Sequence, residues 1–545
     1  MMPDTEFPVY EVNITDLTNE GDGVGMLPDG KKVFVKGALP GELCRVSVLH
    51  EKSKFAFGKL VEILSESANR QEPKCPFYGA CGGCSLMHMT YAKTLEYKLN
   101  KVKNCLTRIG GVDPEIVSEA EIIGADRIFG YRNHMQYAVR DGKTGFMKRG
   151  SDEFISCPKC LIEYEEFTKI RMVFEEACEN FPTNLFTTLI LRGSEKTGEF
   201  TAELVSESPL SHEILIRDAG DWLKGSMFAS KVSECGINLK SVVLQICGGK
   251  IAKRTRSGKR VILYGTDGFT EILSGKKFKI RAGAFFQVNT EQAEKLYSVV
   301  KSHIGDEKII YDLYCGTGSI GLTVTEDDKE LYGTEIVSEA VASAKENAEL
   351  NARRNAHFVC RPAEKQIFDG DKMPLPEVVI IDPPRKGTDE ILIKRLFDAG
   401  PSRIIYVSCD PATLARDIKN FSLKYRVESI TATELFPWSE HVETVVQLSK
   451  GSVPSQDVKV KFSMENVSSA QYLDKPATYD QIKAYVKEHS GLNVSSLYIA
   501  QVKQKYRIIE RDCYNLPKSD DSRQPKCPEH KEKAIVDALT YYKMI

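Results

Sequence analysis

Two strand ends in the second half of the chain each carry a side chain suited to covalent or acid–base chemistry. The apolar run RIIYVS leads to Cys409, which is followed by Asp410 and Pro411, and the run EVVII leads to Asp382. In an open α/β sheet, ligands bind beyond the carboxyl ends of the strands, so we expect this thiol and this carboxylate on one rim. A free cysteine is most often a small buried hydrophobe, but a strand end before Asp-Pro is a poor place to bury one. The pattern therefore predicts a nucleophilic thiol.

A glycine-rich loop precedes both strand ends and predicts a cofactor site. In the segment IIYDLYCGTGSIGL, a strand ends at Tyr314 and the loop 315–319 leads into a helix. Glycines let the backbone turn tightly and approach a ligand closely, and Glu335 on the next strand is placed to accept hydrogen bonds from ribose hydroxyls. The same letters satisfy G-x-G-x-x-G, so a nicotinamide dehydrogenase is the rival interpretation. Hydride transfer does not need the thiol at Cys409, which favours a methyl donor.

A separate group of cysteines predicts a metal site. Cys75, Cys81 and Cys84 follow the spacing C-x5-C-x2-C, and Cys157 and Cys160 follow in the run C-P-K-C. The chain has 15 cysteines and no recognisable export signal, and clustered thiols in a reducing compartment are metal ligands or catalytic groups rather than disulfides. Spacing alone does not choose between zinc and an iron–sulfur cluster.

The elements along the chain fall into four predicted segments. A length of 545 residues suggests three or four domains of roughly 100–200 residues. Residues 1–66 have the short strands and turns of a small β-barrel, and residues 67–275 mix a basic helix with strand-like runs at 186–192, 240–246 and 260–264. Residues 276–452 alternate buried strands and helices, which is typical of a doubly wound α/β sheet. Residues 453–545 form a small, mostly helical appendix.

Basic residues in two places are candidate nucleic-acid contacts. The run AKRTRSGKR at 252–260 is typical of a solvated loop, but in an RNA enzyme it would be a candidate phosphate contact. The lysines of the barrel are equally consistent with a solvated surface; they are Lys31, Lys32, Lys36, Lys52, Lys54 and Lys59. The basic helix carries Lys93, Lys98, Lys101, Lys103 and Arg108.

The appendix holds a capping box, Thr478 with Gln481, before an amphipathic run. A second, basic helix starts at Ser495 or Ser496 after a glycine-containing turn. Two such helices are a weak indication of a helix-turn-helix module, and a packing appendage is favoured.

The chain as a whole excludes other classes. No stretch approaches the roughly 20 apolar residues that span a bilayer, and the N-terminus lacks the basic and apolar regions of a signal peptide. We therefore expect a cytoplasmic protein with no membrane partner. The net charge is -2, so a nucleic-acid surface has to be a local patch.

Several motifs, in their order, resemble the bacterial RNA uracil-5-methyltransferases, which include 23S ribosomal RNA and tRNA uracil-54 enzymes. The resemblance covers about residues 6–450, and residues 6–65 resemble a TRAM domain, an RNA-binding barrel of the oligonucleotide-binding type. It implies a Rossmann-like S-adenosylmethionine-dependent methyltransferase domain preceded by an OB-like barrel and a mixed α+β iron–sulfur domain. The motifs are FFQVN, DLYCGTGSIGL, IIDPPRKG, YVSCDPATLARD and FPWSEHVETVVQLS.

The resemblance also implies roles for individual residues. Cys409 would be the nucleophile and Glu443, in His-Val-Glu, the base. Ser319 stands where relatives often carry asparagine or another small polar residue, so its contact is less secure. The methyl-donor contacts would be Gln287, Tyr314, Ser319, Glu335 and Asp382. A [4Fe-4S] cluster would be held by Cys75, Cys81, Cys84 and Cys157, with Cys160 competing for the fourth position.

The chemistry explains why these residue types are needed. C5 of uracil is too weak a nucleophile to accept a methyl group directly, and a thiolate that adds to C6 raises the electron density at C5. A base then removes the C5 proton, and donors at the carbonyl oxygens stabilise the developing charge; Gln287 or Arg132 is a candidate donor. The target base has to be splayed out or flipped.

The RNA substrate is predicted less sharply. The cysteine group and the TRAM-like barrel favour 23S ribosomal RNA, at one or two uridines, with tRNA uracil-54 as the alternative. A catalytically idle iron–sulfur RNA-binding protein is a third hypothesis, which the intact Cys409 and Glu443 disfavour. A structural or RNA-shaping role is favoured for the cluster. A monomer without a DNA partner is expected.

Overall fold

In the computed structural model, the N-terminal segment is a closed barrel of five strands in the order β1-β2-β3-β5-β4. Alternate residues such as Val12, Val33 and Val46 fill its interior. At Gly58, a Cβ would lie 2.2 Å from Val46 Cγ1, so the glycine allows β5 to approach β4. The predicted small β-barrel is confirmed. Its strands are β1 (Val9–Leu17), β2 (Gly23–Met26), β3 (Lys32–Val35), β4 (Leu43–Glu51) and β5 (Phe55–Ser65).

The structure describes residues 7–181, 183–247, 258–366, 373–451, 479–505 and 527–542. They belong to two compact units, Met1–Pro454 and Ser455–Ile545. No helix within these ranges is both long and apolar enough to span a membrane. Most of the basic run at 252–260 lies outside them.

The second sheet has seven strands in the order β13-β12-β11-β10-β7-β8-β9. Neighbouring strands are antiparallel except β11 and β12. Three helices, Glu165–Asn180, His212–Ser226 and Phe228–Glu234, pack on it in one hydrophobic core. The strand-like runs in the sequence coincide with β10, β12 and β13. The strands are β7 (His134–Arg140), β8 (Lys143–Met147), β9 (Phe154–Ser156), β10 (Thr188–Ser194), β11 (Glu199–Ser206), β12 (Asn238–Ile246) and β13 (Lys259–Gly265).

A hairpin of β14 (Phe269–Leu273) and β15 (Lys276–Ile280) follows this sheet. Its two turn residues, Ser274 and Gly275, both have positive φ, which matches the twist of a tight hairpin. The boundary that the sequence analysis set between 275 and 276 therefore falls inside one turn.

The third sheet has eight strands in the order β18-β17-β16-β19-β20-β22-β21-β6. The strands β16 to β20 run parallel, and β22 is antiparallel to both of its neighbours. This is the predicted doubly wound α/β sheet. Its strands are β16 (Ile309–Leu313), β17 (Glu330–Glu335), β18 (Ala356–Cys360), β19 (Val378–Ile381), β20 (Arg403–Ser408), β21 (Tyr425–Thr433), β22 (Glu443–Lys450) and β6 (Glu121–Ile123). Its helices are Thr290–Ser302, Ser319–Val324, Ser338–Leu350, Ala363–Gln366, Glu390–Ala399 and Pro411–Phe421.

A segment from the first quarter of the chain completes this third sheet. The strand β6 pairs in parallel with β21, and the helices Tyr91–Cys105 and Pro114–Ser118, with the π-turn Leu106–Gly110, share its hydrophobic core. The predicted domain boundaries place this segment in the middle domain, because a strand of only three residues is too short to give a periodic pattern in the sequence. Lys98, one of the basic residues of the predicted helix, is fully buried.

The C-terminal unit contains three helices, Tyr479–Ser490, Ser496–Lys505 and Glu529–Tyr541. They share a core that includes Ile482, Ile499 and Ile535. Lys503 is buried and Lys505 pairs with Glu532 at 2.5 Å. The predicted cap Thr478 lies outside the described residues. The choice between a packing appendage and a helix-turn-helix module stays a prediction.

Candidate active site

The carboxyl ends of four neighbouring parallel strands carry four of the predicted site residues. Tyr314 follows β16, Glu335 ends β17, Asp382 follows β19 and Cys409 follows β20. The register aligns these ends, because Leu313 pairs with both Thr334 and Ile381. The structure thus brings the predicted carboxylates and thiol to one rim of the sheet.

The glycine loop at this rim is shaped by unusual backbone geometry. Tyr314, Gly316 and Gly318 all have positive φ, and nothing lies within 4 Å of the Cβ position of Gly316. A bulky residue such as Tyr314 rarely adopts this conformation, and such strain concentrates at functional sites. The loop therefore presents an open concave backbone surface to a ligand.

Asp312, near the end of β16, holds the glycine loop at the start of the helix that follows it. Its Oδ2 accepts the N–H of Gly321 at 2.9 Å, while its buried Oδ1 has no hydrogen-bond partner among the described residues. Burial raises the pKa of this carboxyl to about 7. Asp312 was not among the predicted site residues, although its place next to the end of the strand is visible in the letters DLYCG.

Glu335 lies against the same loop. One carboxylate oxygen accepts the N–H of Ile336 at 2.7 Å and of Val337 at 2.9 Å, and the other accepts the N–H of Gly316 at 3.2 Å. The side chains of Ile336 and Val337 are 68% and 49% exposed. This arrangement suits a nucleoside: the carboxylate can accept hydrogen bonds from ribose hydroxyls, and the two exposed apolar side chains can pack against the aromatic base.

Ser319 and Gln287 lie at the edges of the loop. The hydroxyl of Ser319 is 3.1 Å from the hydroxyl of Tyr297. Gln287 is buried, and its carbonyl accepts the side-chain N–H of Asn133 at 3.0 Å. The other candidate donor, Arg132, instead lines a cavity among the cysteines of the C-x5-C-x2-C group.

Cys409 and Glu443 stand opposite each other although 33 residues lie between them in the sequence. The strands β20 and β22 pair antiparallel with Ser408 opposite Thr444, so the next position out sets Cys409 against Glu443. The side chain of Asp410 then accepts the N–H of Thr413 at 2.8 Å and caps the helix Pro411–Phe421. Cys409 therefore stands between the end of β20 and the start of this helix.

The rim carries an excess of acids whose pKa values are raised. Burial, with Asp382 as a neighbour, raises the pKa of Glu443 to about 8, and burial raises that of Asp382 to about 7. Burial and these two acids raise the pKa of Cys409 to about 11, and Arg385 opposes the shifts of Cys409 and Glu443. A cationic ligand at this rim would favour the ionised forms of all three groups.

Four of the cysteines in the predicted metal-binding group line a cavity of about 340 Å³. Cys75, Cys81, Cys84 and Cys160 line it, whereas Cys157 does not. Burial raises the pKa of Cys84 to about 12 and also raises that of Cys160. Within the described part of the chain, no three His, Cys, Asp or Glu side chains stand close enough to hold a metal ion.

Comparisons with known proteins agree with this geometry. Residues 237–451 match the tRNA (Uracil-5-)-methyltransferase family, and residues 3–61 match the TRAM domain. An uncharacterized RNA methyltransferase of Clostridium acetobutylicum is 34% identical over 461 residues, covering 81% of this chain and 97% of that protein. One of Staphylococcus aureus is 32% identical, covering 79% and 96%.

A solved structure shares the fold. The Pyrococcus abyssi tRNA (uracil-54, C5)-methyltransferase in complex with S-adenosyl-L-homocysteine aligns with a TM-score of 0.64 and 24% identity, covering 81% of this chain and all of that chain. The α/β sheet, the cofactor loop and the barrel together define an S-adenosylmethionine-dependent methyltransferase that acts on RNA. The chain belongs to the RNA (uracil-5-)-methyltransferase family. The dehydrogenase interpretation of the glycine loop is therefore wrong.

Proposed function

We propose that this enzyme methylates C5 of a specific uridine with Cys409 as nucleophile and Glu443 as base. The observation that carries the proposal is the antiparallel pairing of β20 and β22, which sets the two side chains opposite each other beside the glycine loop. A thiol and a carboxyl in this arrangement can work on adjacent carbons of one ring.

The residues would act in a fixed order. The Cys409 thiolate forms a bond to C6, and the electron pair of the C5–C6 double bond moves toward the carbonyl oxygen at C4. When bound, S-adenosylmethionine supplies an electrophilic methyl group for C5. Glu443 then takes the proton from C5, the C5–C6 double bond re-forms and Cys409 leaves as thiolate.

The pKa values at the rim fit these roles. Glu443, with a pKa of about 8, is a stronger base than an ordinary carboxylate once it is ionised. Cys409 must lose a proton against a pKa of about 11, and Arg385 and a bound sulfonium cation both favour that loss. Because both groups act in their ionised forms, we expect the rate to rise with pH through about 8.

The methyl donor would lie on the glycine loop. Glu335 would accept hydrogen bonds from its ribose, with the adenine against Ile336 and Val337. Asp382, Tyr314, Ser319 and Gln287 would complete the pocket. The unpartnered Oδ1 of Asp312 and the open space at Gly316 fit a ligand at this place.

The thiol cavity would hold a [4Fe-4S] cluster. Three thiols at the C-x5-C-x2-C spacing and one from the C-P-K-C loop face a common space, which is the donor set that such a cluster requires. Two thiols of this loop are candidates for the fourth position, as in the sequence prediction. Cys160 lines the cavity, and the Cys157 thiol is close enough to those of Cys75 and Cys81 for their charges to raise its pKa further, beside the larger effect of burial.

The barrel would bind the RNA. On its outer face the rings of Phe34, Phe55 and Phe57 lie 5.5–5.8 Å from one another, and the Lys52 ammonium group lies 5.5 Å above the Phe55 ring. Lys32 pairs with Phe55 in the strand register. Aromatic rings for stacking beside cations for phosphates are typical of single-stranded RNA sites.

We assign 23S ribosomal RNA as the substrate, because a thiol cavity and a TRAM barrel accompany the catalytic sheet in this chain. The tRNA uracil-54 activity is the second candidate, since the Pyrococcus abyssi protein of the same fold is a tRNA (uracil-54, C5)-methyltransferase. Purified enzyme would be incubated with labelled methyl donor and with unmodified ribosomal or transfer RNA, and 5-methyluridine would be mapped.

Label at one or two uridines of 23S RNA supports the assignment, and label only in tRNA overturns it. If the enzyme binds S-adenosylmethionine but labels neither RNA, the catalytically idle alternative holds and the proposed activity fails.

A further inference from the structure

Trp438 has a conformation that its own side chain disfavours. It lies five residues before Glu443 and has a φ of 70°, in the left-handed region that a bulky residue rarely adopts. Its side chain is also almost fully buried. A backbone of this kind persists only when the surroundings hold it in place.

The segment that carries Cys84 holds this backbone. The N–H groups of Ser85 and Leu86 both donate to the carbonyl of Trp438, at 2.9 and 3.0 Å. The indole N–H donates to the carbonyl of Ile128 at 2.9 Å, and the ring stacks on Phe129 with centroids 5.5 Å apart.

The same Trp438 ring forms part of the wall behind the thiol cavity. It shares a small hydrophobic core with Met87 and Ile162, which both line the cavity, and Cys84 and Cys160 pack against that core. The Trp438 ring and the cavity are therefore linked through the side chains of Met87 and Ile162.

A second set of contacts fixes the loop on both sides of Trp438. The hydroxyl of Ser85 donates to the carboxylate of Glu440, and the ammonium group of Lys101 donates to the Glu440 carbonyl at 3.1 Å. On the other side, Lys98 pairs with Glu434 at 2.6 Å, with neither side chain exposed to solvent. The loop from 434 to 440 thus depends on residues of the cysteine-bearing segment and the helix that follows it.

We propose that Ser85 and Trp438 are positioning residues for Glu443, and that the filled thiol cavity fixes the loop that presents this base. The inference rests on the proposed roles of Cys409 and Glu443. Cys409 follows β20 and is not attached to this loop, so a loosened loop would leave the attack on C6 intact and slow the removal of the C5 proton. The cavity would then act on one step of the reaction without exchanging electrons with it.

The test separates these two steps. The variant Ser85→Ala removes the hydroxyl that reaches Glu440, Ser85→Thr retains it, and Glu440→Gln weakens the same contact from the loop. Each protein is mixed with unmodified RNA and methyl donor, and the covalent protein–RNA adduct is measured on denaturing gels beside methyl turnover and iron content.

We expect Ser85→Ala and Glu440→Gln to lose about 10- to 100-fold in turnover, as misplacement of a catalytic group does, while the adduct accumulates. Ser85→Thr should behave as the unaltered enzyme. Enzyme depleted of iron under chelation should show the same pattern, with adduct present and slow release. Binding of S-adenosylmethionine by calorimetry verifies that each protein remains folded.

Equal loss of adduct and turnover in a variant that binds the methyl donor would overturn the positioning role, as would unchanged turnover in Ser85→Ala. Unaltered release by iron-depleted enzyme would overturn the part assigned to the cavity. RNA that carries 5-fluorouridine serves as the control, because the fluorine at C5 cannot be removed as a proton and the bond between Cys409 and C6 therefore stays intact. If the unaltered enzyme forms no adduct with it, the proposed function fails instead of this inference.

Discussion

Partly buried cysteines stand at the catalytic rim and around the thiol cavity, and these two regions differ in what surrounds the thiols. At the catalytic rim a single thiol, Cys409, faces carboxyls and one arginine, Arg385. In the thiol cavity, Cys84 and Cys160 face other thiols. Burial raises the pKa values in both places, so the shift does not distinguish them. The neighbours do: one thiol beside an acid and a cofactor loop suits nucleophilic attack, and several converging thiols suit a metal.

The largest effect that would test this contrast is the loss of Cys409. We expect Cys409→Ala to lower methyl transfer by roughly 10⁴-fold or more, as removal of a covalent nucleophile does, and to form no adduct. Its iron content should equal that of the unaltered enzyme. Loss of iron from this variant would show that the two places are not independent.

The second prediction concerns the acid opposite the thiol. Glu443→Gln is nearly isosteric but cannot take up the C5 proton, so turnover should fall by about 10²- to 10⁴-fold while the adduct accumulates. Denaturing gels with labelled RNA measure the adduct. Rapid release of methylated RNA by this variant would assign the base elsewhere.

The third prediction compares two cysteines three residues apart. Only one of Cys160→Ser and Cys157→Ser should lower iron and sulfide content, because a cluster held by Cys75, Cys81 and Cys84 needs one further thiol. Analysis of protein purified without oxygen provides the measurement. The variant that loses iron identifies the fourth ligand, full iron in both variants would contradict the proposal, and stoichiometric zinc would exclude the cluster.

The fourth prediction uses the acids of the rim. Asp312, Asp382 and Glu443 have pKa values of about 7, 7 and 8, above the ordinary values of 3.8 and 4.5. Such carboxyls stabilise the fold while protonated. This contribution is complete below the unfolded pKa values of about 4 and is lost as pH rises from there through 7 to 8. The Tm of ligand-free protein should therefore fall between pH 5 and 8.5, by about 2–4 °C for each kcal/mol lost.

Bound S-adenosylmethionine carries a positive charge and should reduce this fall in Tm. Asp312→Asn should flatten the pH dependence. A Tm that rises over the same interval would contradict the assigned direction of these shifts.

The smallest effect concerns the barrel. Phe57 is 44% exposed in the aromatic group on the outer face, and Phe57→Ala should weaken RNA binding by about 1 kcal/mol, or roughly fivefold. Leu423→Ala removes an exposed apolar side chain from the catalytic domain and is the matched control. Equal affinities for the two variants would remove the aromatic face from the RNA site.

Sequence patterns located the rim well because each rim residue ends a strongly apolar strand. Asp382 and Cys409 follow runs buried on both faces, and strand ends in a parallel sheet necessarily meet. The barrel was equally predictable from the sequence, since its interior residues alternate with exposed ones.

The contacts between distant segments could not be predicted in this way. Lys98 reads as part of a basic helix face, and only the tertiary fold shows that it is buried against Glu434. Trp438 reads as an aromatic loop residue until its φ and its partners near Cys84 are known. The choice between Cys157 and Cys160 depends on which side chain turns toward the cavity, which spacing does not encode.

The pairing of β6 with β21 has a consequence for how the protein is made. Glu121 and Thr431 are partners across the edge of the catalytic sheet. The ribosome therefore adds about three hundred residues after Glu121 before Thr431 is available to pair with it. Until then, the apolar face of helix Tyr91–Cys105 and the Lys98 ammonium group lack the surfaces that cover them. Contacts of such long range slow folding and leave apolar surface exposed meanwhile. The catalytic sheet is therefore among the last parts of the nascent chain to close, and a fragment starting at residue 276 would lack Lys98, the partner of Glu434.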